Sequence, residues 1–134
     1  MLCYDRVIHP QWYRPKINYD IGVLRLPREI SYDAYAQPIS LVEQTPPDGT
    51  ISTVTGWGWT DVASQTRPTI LQMFITEREG DYWAAIDSSI YDKDTQVATN
   101  DPDQGICYGD SGGPLIDNKD RKQYGVVSYV MTRK

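Results

Sequence analysis

The most informative stretch of this 134-residue chain covers residues 107–115 and reads Cys107-Tyr108-Gly109-Asp110-Ser111-Gly112-Gly113-Pro114-Leu115. Ser111 lies between glycines, so its hydroxyl stands on backbone that carries few obstructing side chains. A substrate carbonyl can therefore approach both the hydroxyl and the neighbouring backbone N–H groups. The alternative is a plain glycine-rich turn between strands, but so dense a match leaves few positions free to vary. We interpret the stretch as a nucleophile loop.

Composition limits what the rest of the chain can be. Its 134 residues, with 40% hydrophobic and 23% charged side chains, suffice for one ordinary core and not for two large domains. The 13 basic and 18 acidic residues leave a net charge of −5, which argues against a nucleic-acid surface because phosphates would be repelled. No apolar run approaches the roughly 18 residues of a membrane span. We expect neither a nucleic-acid nor a membrane partner.

Short apolar or alternating segments separated by turns predict an all-β fold. The chain has 10 glycines and 9 prolines, and candidate strands occupy residues 2–8, 21–26, 51–55, 70–76, 115–116 and 124–130. In the fourth of these, Leu71, Met73 and Ile75 share one face, as in a strand whose apolar side is covered. One short helix is expected to start at Asp81, because its side chain can cap the first turn.

Four motifs, in this order, resemble the trypsin and chymotrypsin family of serine endopeptidases. Residues 18–26 are similar to the strand that carries the family's catalytic aspartate, and Gly56-Trp57-Gly58 is similar to the turn at the start of its second barrel. The Gly-Asp-Ser-Gly-Gly-Pro motif at 109–114 resembles the nucleophile loop, and residues 125–129 resemble the strand that lines the substrate groove. Four motifs in sequence are far more specific than one.

The resemblance implies a partial trypsin-like double β-barrel with one short helix. Residues 1–44 would be the remnant of the first barrel with the catalytic aspartate, and residues 45–134 the second barrel with the nucleophile loop. The turn-rich residues 45–49 form a plausible linker between them. We expect the second barrel to be incomplete at its C-terminal end. Such an open barrel leaves strand edges and apolar faces exposed.

Catalytic roles follow from the resemblance by position. In that family a serine attacks the substrate carbonyl, a histidine takes its proton, a buried aspartate orients the histidine, and two backbone N–H groups hold the oxyanion. The resemblance assigns Ser111 as the nucleophile and Asp20 as the orienting carboxylate. Gly109 and Ser111 would supply the oxyanion N–H groups.

The resemblance also implies a specificity pocket. Gly105, six residues before Ser111, would lie at its base, where an aspartate would select Arg or Lys. Ser128, Tyr129 and Val130 would line its wall. Many family members have glycine at the position of Val130, so the branched side chain is expected to narrow the pocket. Small or modest apolar residues are the implied targets.

The family's catalytic histidine has no counterpart at its usual place. His9 is the only histidine, 11 residues before Asp20, and the family's Ala-Ala-His-Cys loop does not occur ahead of that aspartate. We therefore interpret His9 as a surface or turn histidine. Without an adjacent base a serine hydroxyl is a poor nucleophile at neutral pH. We expect the chain by itself to be inactive.

The carboxylate of Asp110 is expected to be a second obstacle to activity. The resemblance implies that this activation-linked carboxylate pairs with a freshly cut N-terminus, usually Ile-Val, and the chain shows no such start. A buried Asp110 would then be an unpaired charge, which is costly in free energy. We expect the loop to rearrange or to admit water, and the oxyanion hole then to be misformed.

No metal or cofactor is predicted. The two cysteines lack metal-ligand spacing and are too few for a disulfide scaffold. Asp92, Asp94, Asp101 and Asp103 lack the glycine and terminal glutamate of an EF-hand, so we expect a solvated acidic loop.

Cysteine usage departs from the family pattern. The resemblance implies that Cys107 is bridged to a cysteine after Ser128, and none follows in this chain. The family's bridge between two neighbouring strands would fall at Ser52 and Asp117, where both halves are replaced. We predict no bridge between Cys3 and Cys107, because the two map to different barrels and disulfide geometry is narrow.

Three interpretations remain open. The chain is part of an extracellular serine endopeptidase whose upstream residues hold the histidine, with a peptide or protein as substrate. It is alternatively a catalytically inactive homologue that acts as a protein-binding module, or a piece that never folds stably. Retention of Asp20 and Ser111 favours the first, and the lost bridges and narrowed pocket favour the second. No secretory signal is visible at the N-terminus, so the extracellular location rests on the resemblance.

Overall fold

The computed structural model describes residues 5–131, which form two antiparallel sheets, one short helix and a 3-10 turn at Arg14–Lys16. The elements are β1 (Asp5–Ile8), β2 (Gly22–Arg25), β3 (Ile51–Gly56), β4 (Gln72–Arg78), α1 (Asp81–Asp87), β5 (Thr99–Asn100), β6 (Pro114–Asp117) and β7 (Gln123–Val126). Strands β1 and β2 form the smaller sheet, and the larger has the order β5-β4-β3-β6-β7. The prediction of an all-β fold with one short helix is confirmed.

The predicted strands coincide with observed ones, with two differences. Strand β5 was not predicted, and β7 ends at Val126, before the predicted end at residue 130. Beyond that end, the Val127 backbone still pairs with the nucleophile loop, because its N–H donates to Gly113 and its carbonyl accepts from Gly112. The start of the predicted strand 2–8 lies outside the described residues. So does Cys3, and with it the predicted absence of a Cys3–Cys107 bridge.

The larger sheet buries one face of its strands β3 and β6. In β3, Ser52 and Val54 are buried, and in β6, Leu115 and Asp117 are buried on the same side. Alternate residues of a strand point to opposite faces, so this pattern follows directly from the pleat. Among the described residues the buried apolar side chains are Val54, Ala84 and Leu115. The core is therefore small, and polar residues contribute much of it.

Strand β4 buries the face that was expected to be exposed. Its buried residues are Thr76 and Arg78. Three apolar side chains on the opposite face are between 45% and 60% exposed: Leu71, Met73 and Ile75. The register explains the difference, because Thr76 lies opposite Ser52 of β3 on the buried face of the sheet. Thus the prediction that β4 buries its apolar face is wrong.

A buried arginine connects β4 to helix α1. Arg78 is only 5% exposed, and its guanidinium donates to the carboxylates of Asp48 and Asp81. The Tyr91 hydroxyl also donates to Asp81, at 2.7 Å. Asp81 was expected to cap the helix, but the N-cap is Gly80, without a side-chain hydrogen bond. The carboxylate of Asp81 binds Arg78 and Tyr91 instead of the first helical N–H groups.

The smaller sheet has no covering layer among the described residues. Every residue of β1 and β2 is exposed. Exposed apolar side chains of this sheet are Val7, Ile8, Val23 and Leu24. More than half of each of these side chains' surface remains accessible.

A segment of the front part of the chain adds to the edge of the larger sheet. The Gln123 N–H donates to the carbonyl of Ser40 at 3.0 Å, and the Val42 N–H donates to the carbonyl of Gln123 at 3.1 Å. This segment lies before the expected domain boundary at residues 44 and 45, which stays a prediction.

No helix among residues 5–131 has the length and apolar character needed to cross a membrane.

The pairing of Ser52 with Asp117 predicts that a disulfide can be introduced there. The two are cross-strand partners in β3 and β6. The Asn118 N–H donates to the carbonyl of Ile51, so the adjacent pair of Ser52 and Asp117 is a non-hydrogen-bonded one with close side chains. We expect Ser52→Cys with Asp117→Cys to oxidise to a disulfide. Loop closure contributes about 4 kcal/mol, partly offset by lost polar contacts.

Peptide mapping by mass spectrometry and urea unfolding with and without reductant measure this. The control is Ser52→Cys alone, which cannot form the bridge. A double variant that keeps both new thiols free under air oxidation would contradict the pairing.

Tyr91 predicts that the chain loses stability in alkaline solution. Burial, and then the hydrogen bond to Asp81, raise the pKa of the Tyr91 phenol. The neutral phenol is thus favoured in the folded state, while the unfolded state loses its proton near pH 10. The stabilisation is complete below about pH 10 and declines as the pH rises further. Tyr91→Phe should flatten the fall in the free energy of unfolding between about pH 9 and 11.

Urea unfolding at a series of pH values measures how steeply the free energy of unfolding falls with pH. Tyr35→Phe is the matched control, because that side chain is 98% exposed. A slope in Tyr91→Phe equal to that of the unchanged chain would contradict the assignment.

Candidate active site

The nucleophile loop is a glycine-rich turn between the 101–107 loop and β6. Ser111 is exposed at its tip. Gly109 and Gly112 have φ angles of 106° and 86°, in the left-handed region that glycine adopts without strain. At Gly113 a side chain would meet the carbonyl oxygens of Asp110 and Thr55 at 2.9 Å. At each of these three positions the backbone conformation or the lack of space therefore favours glycine.

The carboxylate of Asp110 connects the nucleophile loop to the Gly-Trp-Gly turn. Its Oδ1 accepts from the Gly58 N–H at 2.7 Å, and its Oδ2 accepts from the Cys107 N–H at 2.8 Å. A Cβ on Gly56 or Gly58 would collide with this carboxylate. Asp110 was expected to lack a partner and to force a rearrangement. In the structure Asp110 does have partners, because backbone N–H groups supply the hydrogen bonds that its charged carboxylate needs.

The backbone beside Ser111 leaves two N–H groups available. The carbonyl of Tyr108 accepts from the Trp59 N–H at 2.9 Å, and the peptide bonds among residues 5–131 are all trans. In a trans peptide the C=O and N–H point in opposite directions, so the Gly109 N–H points away from Trp59. Within the described part of the chain, neither Gly109 nor Ser111 donates its N–H to a protein acceptor. Such unpartnered N–H groups are what an oxyanion-binding site requires, and their role stays a prediction.

Asp20 contacts the segment that follows β7. The Ser128 hydroxyl donates to Asp20 Oδ2 at 2.5 Å, across 108 residues of sequence. This bond brings together two positions that the sequence assigned to the same site. In contrast to the buried aspartate of the family pattern, Asp20 is exposed among the described residues.

His9 lies in the turn that follows β1. Its ring stacks on Tyr19, with centroids 4.6 Å apart and an interplanar angle of 9°. Its Nδ1 accepts from the Gln11 N–H at 3.2 Å, so in this arrangement the proton of the neutral ring is on Nε2. The structure gives it no hydrogen bond to Asp20 or Ser111 among residues 5–131. These contacts agree with the interpretation of His9 as a turn histidine.

The expected pocket residues occupy two separate loops. Gly105 is exposed in the loop ahead of Ser111, with open space around the position of a Cβ. Tyr129 is half-buried, and burial raises the pKa of its phenol, although a hydrogen bond with Ser88 lowers it. Val130 is 56% exposed. No described contact joins Gly105 to Val130, so the narrowed pocket stays a prediction.

Sequence reasoning missed Gln96, which binds the hydroxyl of Tyr129 at 3.1 Å. A lone glutamine in a loop has no motif, so no sequence signal could have found it. Asp92 was expected in a solvated loop, but its Oδ2 accepts from the Asn18 Nδ2 at 2.8 Å. Among residues 5–131, no group of three or more His, Cys, Asp or Glu side chains is placed to hold a metal ion.

The fold is built from antiparallel β-sheets, and the loop around Ser111 carries the Gly-Asp-Ser-Gly-Gly-Pro motif. A sequence model of the Trypsin family matches residues 3–134, so the chain belongs to the trypsin family. Two similar proteins are "Chymotrypsin-like elastase family member 1" of Homo sapiens, 33% identical over 95% of this chain and 52% of that protein, and "Trypsin iota" of Drosophila melanogaster, 30% identical over 91% and 48%. The chain thus spans about half the length of these relatives.

A solved structure confirms the fold. The chain described as "Structure of GrC" superposes with a TM-score of 0.86 at 24% identity, over 97% of this chain and 58% of that one. The partial trypsin-like double barrel expected from the motifs is therefore confirmed.

The contact between Asp110 and the Gly-Trp-Gly turn predicts a strong effect of one added methyl group. Gly58→Ala places a Cβ against the Asp110 carboxylate, so either the turn or the loop must move. We expect a loss of about 2 kcal/mol in the free energy of unfolding, as for other overpacked sites. The measurement is urea unfolding followed by tryptophan fluorescence.

Gly105→Ala is the matched control, because its added methyl meets nothing within 4 Å. It should change stability by less than about 0.5 kcal/mol. Equal losses in the two variants would contradict the packing of Asp110 against Gly58.

Proposed function

We propose that this chain supplies the nucleophile, the oxyanion donors and the orienting carboxylate of an extracellular serine endopeptidase. Ser111 is the nucleophile, Asp20 the orienting carboxylate, and the N–H groups of Gly109 and Ser111 bind the oxyanion. One observation carries the proposal: Ser111 stands exposed beside N–H groups that have no protein acceptor among residues 5–131. The backbone hydrogen bonds from Gly58 and Cys107 to Asp110 hold the loop in this arrangement. The proposed substrate is a peptide or a protein.

In an acyl-transfer reaction each of the proposed groups would have a defined role. The Ser111 oxygen would bond to the substrate carbonyl carbon while a base takes its proton, and the carbonyl oxygen would gain negative charge near Gly109. Breaking the C–N bond would release the amine, which takes that proton, and leave an ester on Ser111. Water would then hydrolyse the ester. Asp20 would orient the base, as its family position implies.

The base is the group that this sequence does not supply. His9 is the only histidine in the sequence, and its Nδ1 and ring face are engaged in the turn after β1. We therefore propose that the chain by itself is inactive in proteolysis. The reactive hydroxyl would require a base from outside the described residues.

The substrate preference and the division of the chain are part of the same proposal. Gly105, Ser128, Tyr129 and Val130 would form a pocket without charge, which suits a small or modest apolar residue. Residues 1–44 would contribute the carboxylate and residues 45–134 the nucleophile. The hydrogen bond between Ser128 and Asp20 supports a site to which both parts of the chain contribute, because it joins the two parts there.

Labelling with a fluorophosphonate tests the proposal. Ser111 and Asp20 are both exposed, so soluble imidazole can act as the base that the chain lacks. Without imidazole we expect Ser111 to react no faster than the exposed Ser89. With imidazole we expect Ser111 to react at least about 10-fold faster than Ser89, since general bases contribute such factors. Asp20→Asn should reduce this gain. Peptide mapping by mass spectrometry identifies the labelled serine.

Each outcome has a distinct meaning. Fast labelling of Ser111 without imidazole would contradict the proposed inactivity. Equal labelling of Ser111 and Ser89 with imidazole would contradict the role of Ser111. In that case, a protein that binds the chain with the same affinity after Ser111→Ala would identify it as a protein-binding module, and its exposed apolar strands would then form the first surface to map.

A further inference from the structure

Gln96 connects the two parts of the chain on either side of the proposed site. Its Nε2 donates to the carbonyls of Lys16 and Ile17, at 3.2 and 3.1 Å. Its Oε1 accepts from the Asp92 N–H at 3.0 Å and from the Tyr129 hydroxyl at 3.1 Å. A primary amide has two donor hydrogens and one oxygen with two lone pairs. The side chain therefore uses its full hydrogen-bonding capacity.

The partners of Gln96 flank the bond between Asp20 and Ser128. Ile17 lies three residues before Asp20, and Tyr129 directly follows Ser128. Together with the bond from the Ser128 hydroxyl to Asp20, these contacts close a ring. In this ring Gln96 is joined to Asp20 only through other residues, by way of Ile17 on one side and of Tyr129 and Ser128 on the other. Displacing the amide would loosen both ends of the Asp20–Ser128 contact.

The backbone before Asp20 adopts a conformation that needs such support. Ile17 and Tyr19 have φ angles of 55° and 57°. This left-handed region is unfavourable for side chains with a Cβ, and most of all for a β-branched residue such as isoleucine. A chain segment keeps such a conformation when surrounding contacts determine it. Gln96 binds the Ile17 carbonyl, and Asp92 binds the side chain of the intervening Asn18 at 2.8 Å.

Only an amide of this length serves all four partners. A glutamate at 96 would still accept from the Asp92 N–H and the Tyr129 hydroxyl, but it would face two carbonyl oxygens without a hydrogen to donate. A methionine would fill similar space and serve none of the partners. Substitutions at position 96 can therefore distinguish the packing of this side chain from its hydrogen bonds.

We propose that Gln96 is a positioning residue that holds Asp20 against Ser128 through the Ile17 carbonyl and the Tyr129 hydroxyl. The inference deepens the proposed function and rests on it, because the orientation of Asp20 matters for catalysis only if Asp20 orients a base. Gln96 itself touches neither Asp20 nor Ser111 through a hydrogen bond. Its influence passes through the backbone before Asp20 and through the segment after β7 that carries Ser128.

The test compares Gln96→Glu with the unchanged chain by NMR at pH 7. The ¹³Cγ resonance of Asp20 reports its hydrogen bond, and Ser128→Ala defines the value when that bond is lost. We expect Gln96→Glu to move this resonance toward the Ser128→Ala value. We also expect about 10-fold faster hydrogen exchange of the Asn18 and Ile21 amides, with the central amides of β3 unchanged, because only a local region opens.

Gln72→Glu is the matched control. The Gln72 Nε2 donates to the carbonyl of Ile70, two residues away, so the same chemical change removes only a local bond. It should leave the Asp20 resonance and the exchange of Asn18 unchanged. Tyr129→Phe, which removes the other arm of the ring and keeps the aromatic side chain, should move the Asp20 resonance in the same direction as Gln96→Glu.

An unmoved Asp20 resonance in both Gln96→Glu and Tyr129→Phe would overturn the inference. Equal acceleration of exchange in β3 and in residues 17–21 would also overturn it, since that pattern indicates a general structural role. These readouts do not depend on the reactivity of Ser111. If Asp20 responds to Gln96→Glu while Ser111 labels no faster than Ser89 with imidazole, the positioning role stands and the proposed function fails.

Discussion

The carboxylate of Asp110 is the constraint on which the nucleophile loop depends. It accepts hydrogen bonds from the backbone of Gly58 and Cys107, and hydrogen bonds to a charged acceptor are stronger than those between neutral groups. The carboxylate also fills the space beside Gly56 and Gly58, which explains why both positions lack a side chain. With the loop held here, the Tyr108 carbonyl turns toward Trp59 and Ser111 stands free at the surface.

A second polar junction relates the front of the chain to the larger sheet. The exposed strands β1 and β2 bury no residue, so apolar packing contributes little to their placement. Hydrogen bonds take that role instead, from Ser128 to Asp20 and from Gln96 to the carbonyls of Lys16 and Ile17. Directional bonds of this kind define geometry more narrowly than apolar contact does, because they weaken steeply with angle.

The same replacement of apolar and covalent contacts by polar ones occurs inside the larger sheet. At the pair of Ser52 and Asp117 the family pattern has a disulfide, whereas here Ser52 is fully buried and its hydroxyl is 2.5 Å from that of Tyr124. Asp117 accepts instead from the N–H of Lys119, within its own turn. The buried charge of Arg78, between Asp48 and Asp81, adds to this polar character. With few buried apolar residues, the sheet relies on hydrogen bonds between polar groups, although the buried Nε of Arg78 has no partner among residues 5–131.

Motif and period alone were enough to predict every observed strand except β5, the glycine-rich loop around Ser111 and the family, because glycine spacing and apolar alternation act locally. They could not predict which face of β4 is buried, since this depends on register with β3 and on the partners of Arg78. Nor could they predict that Asp110 would find N–H partners or that Gln96 would bridge to Ile17. The contacts of Asp110 with Gly58 and of Gln96 with Ile17 join residues far apart in sequence, and only the folded chain brings such groups within hydrogen-bond distance.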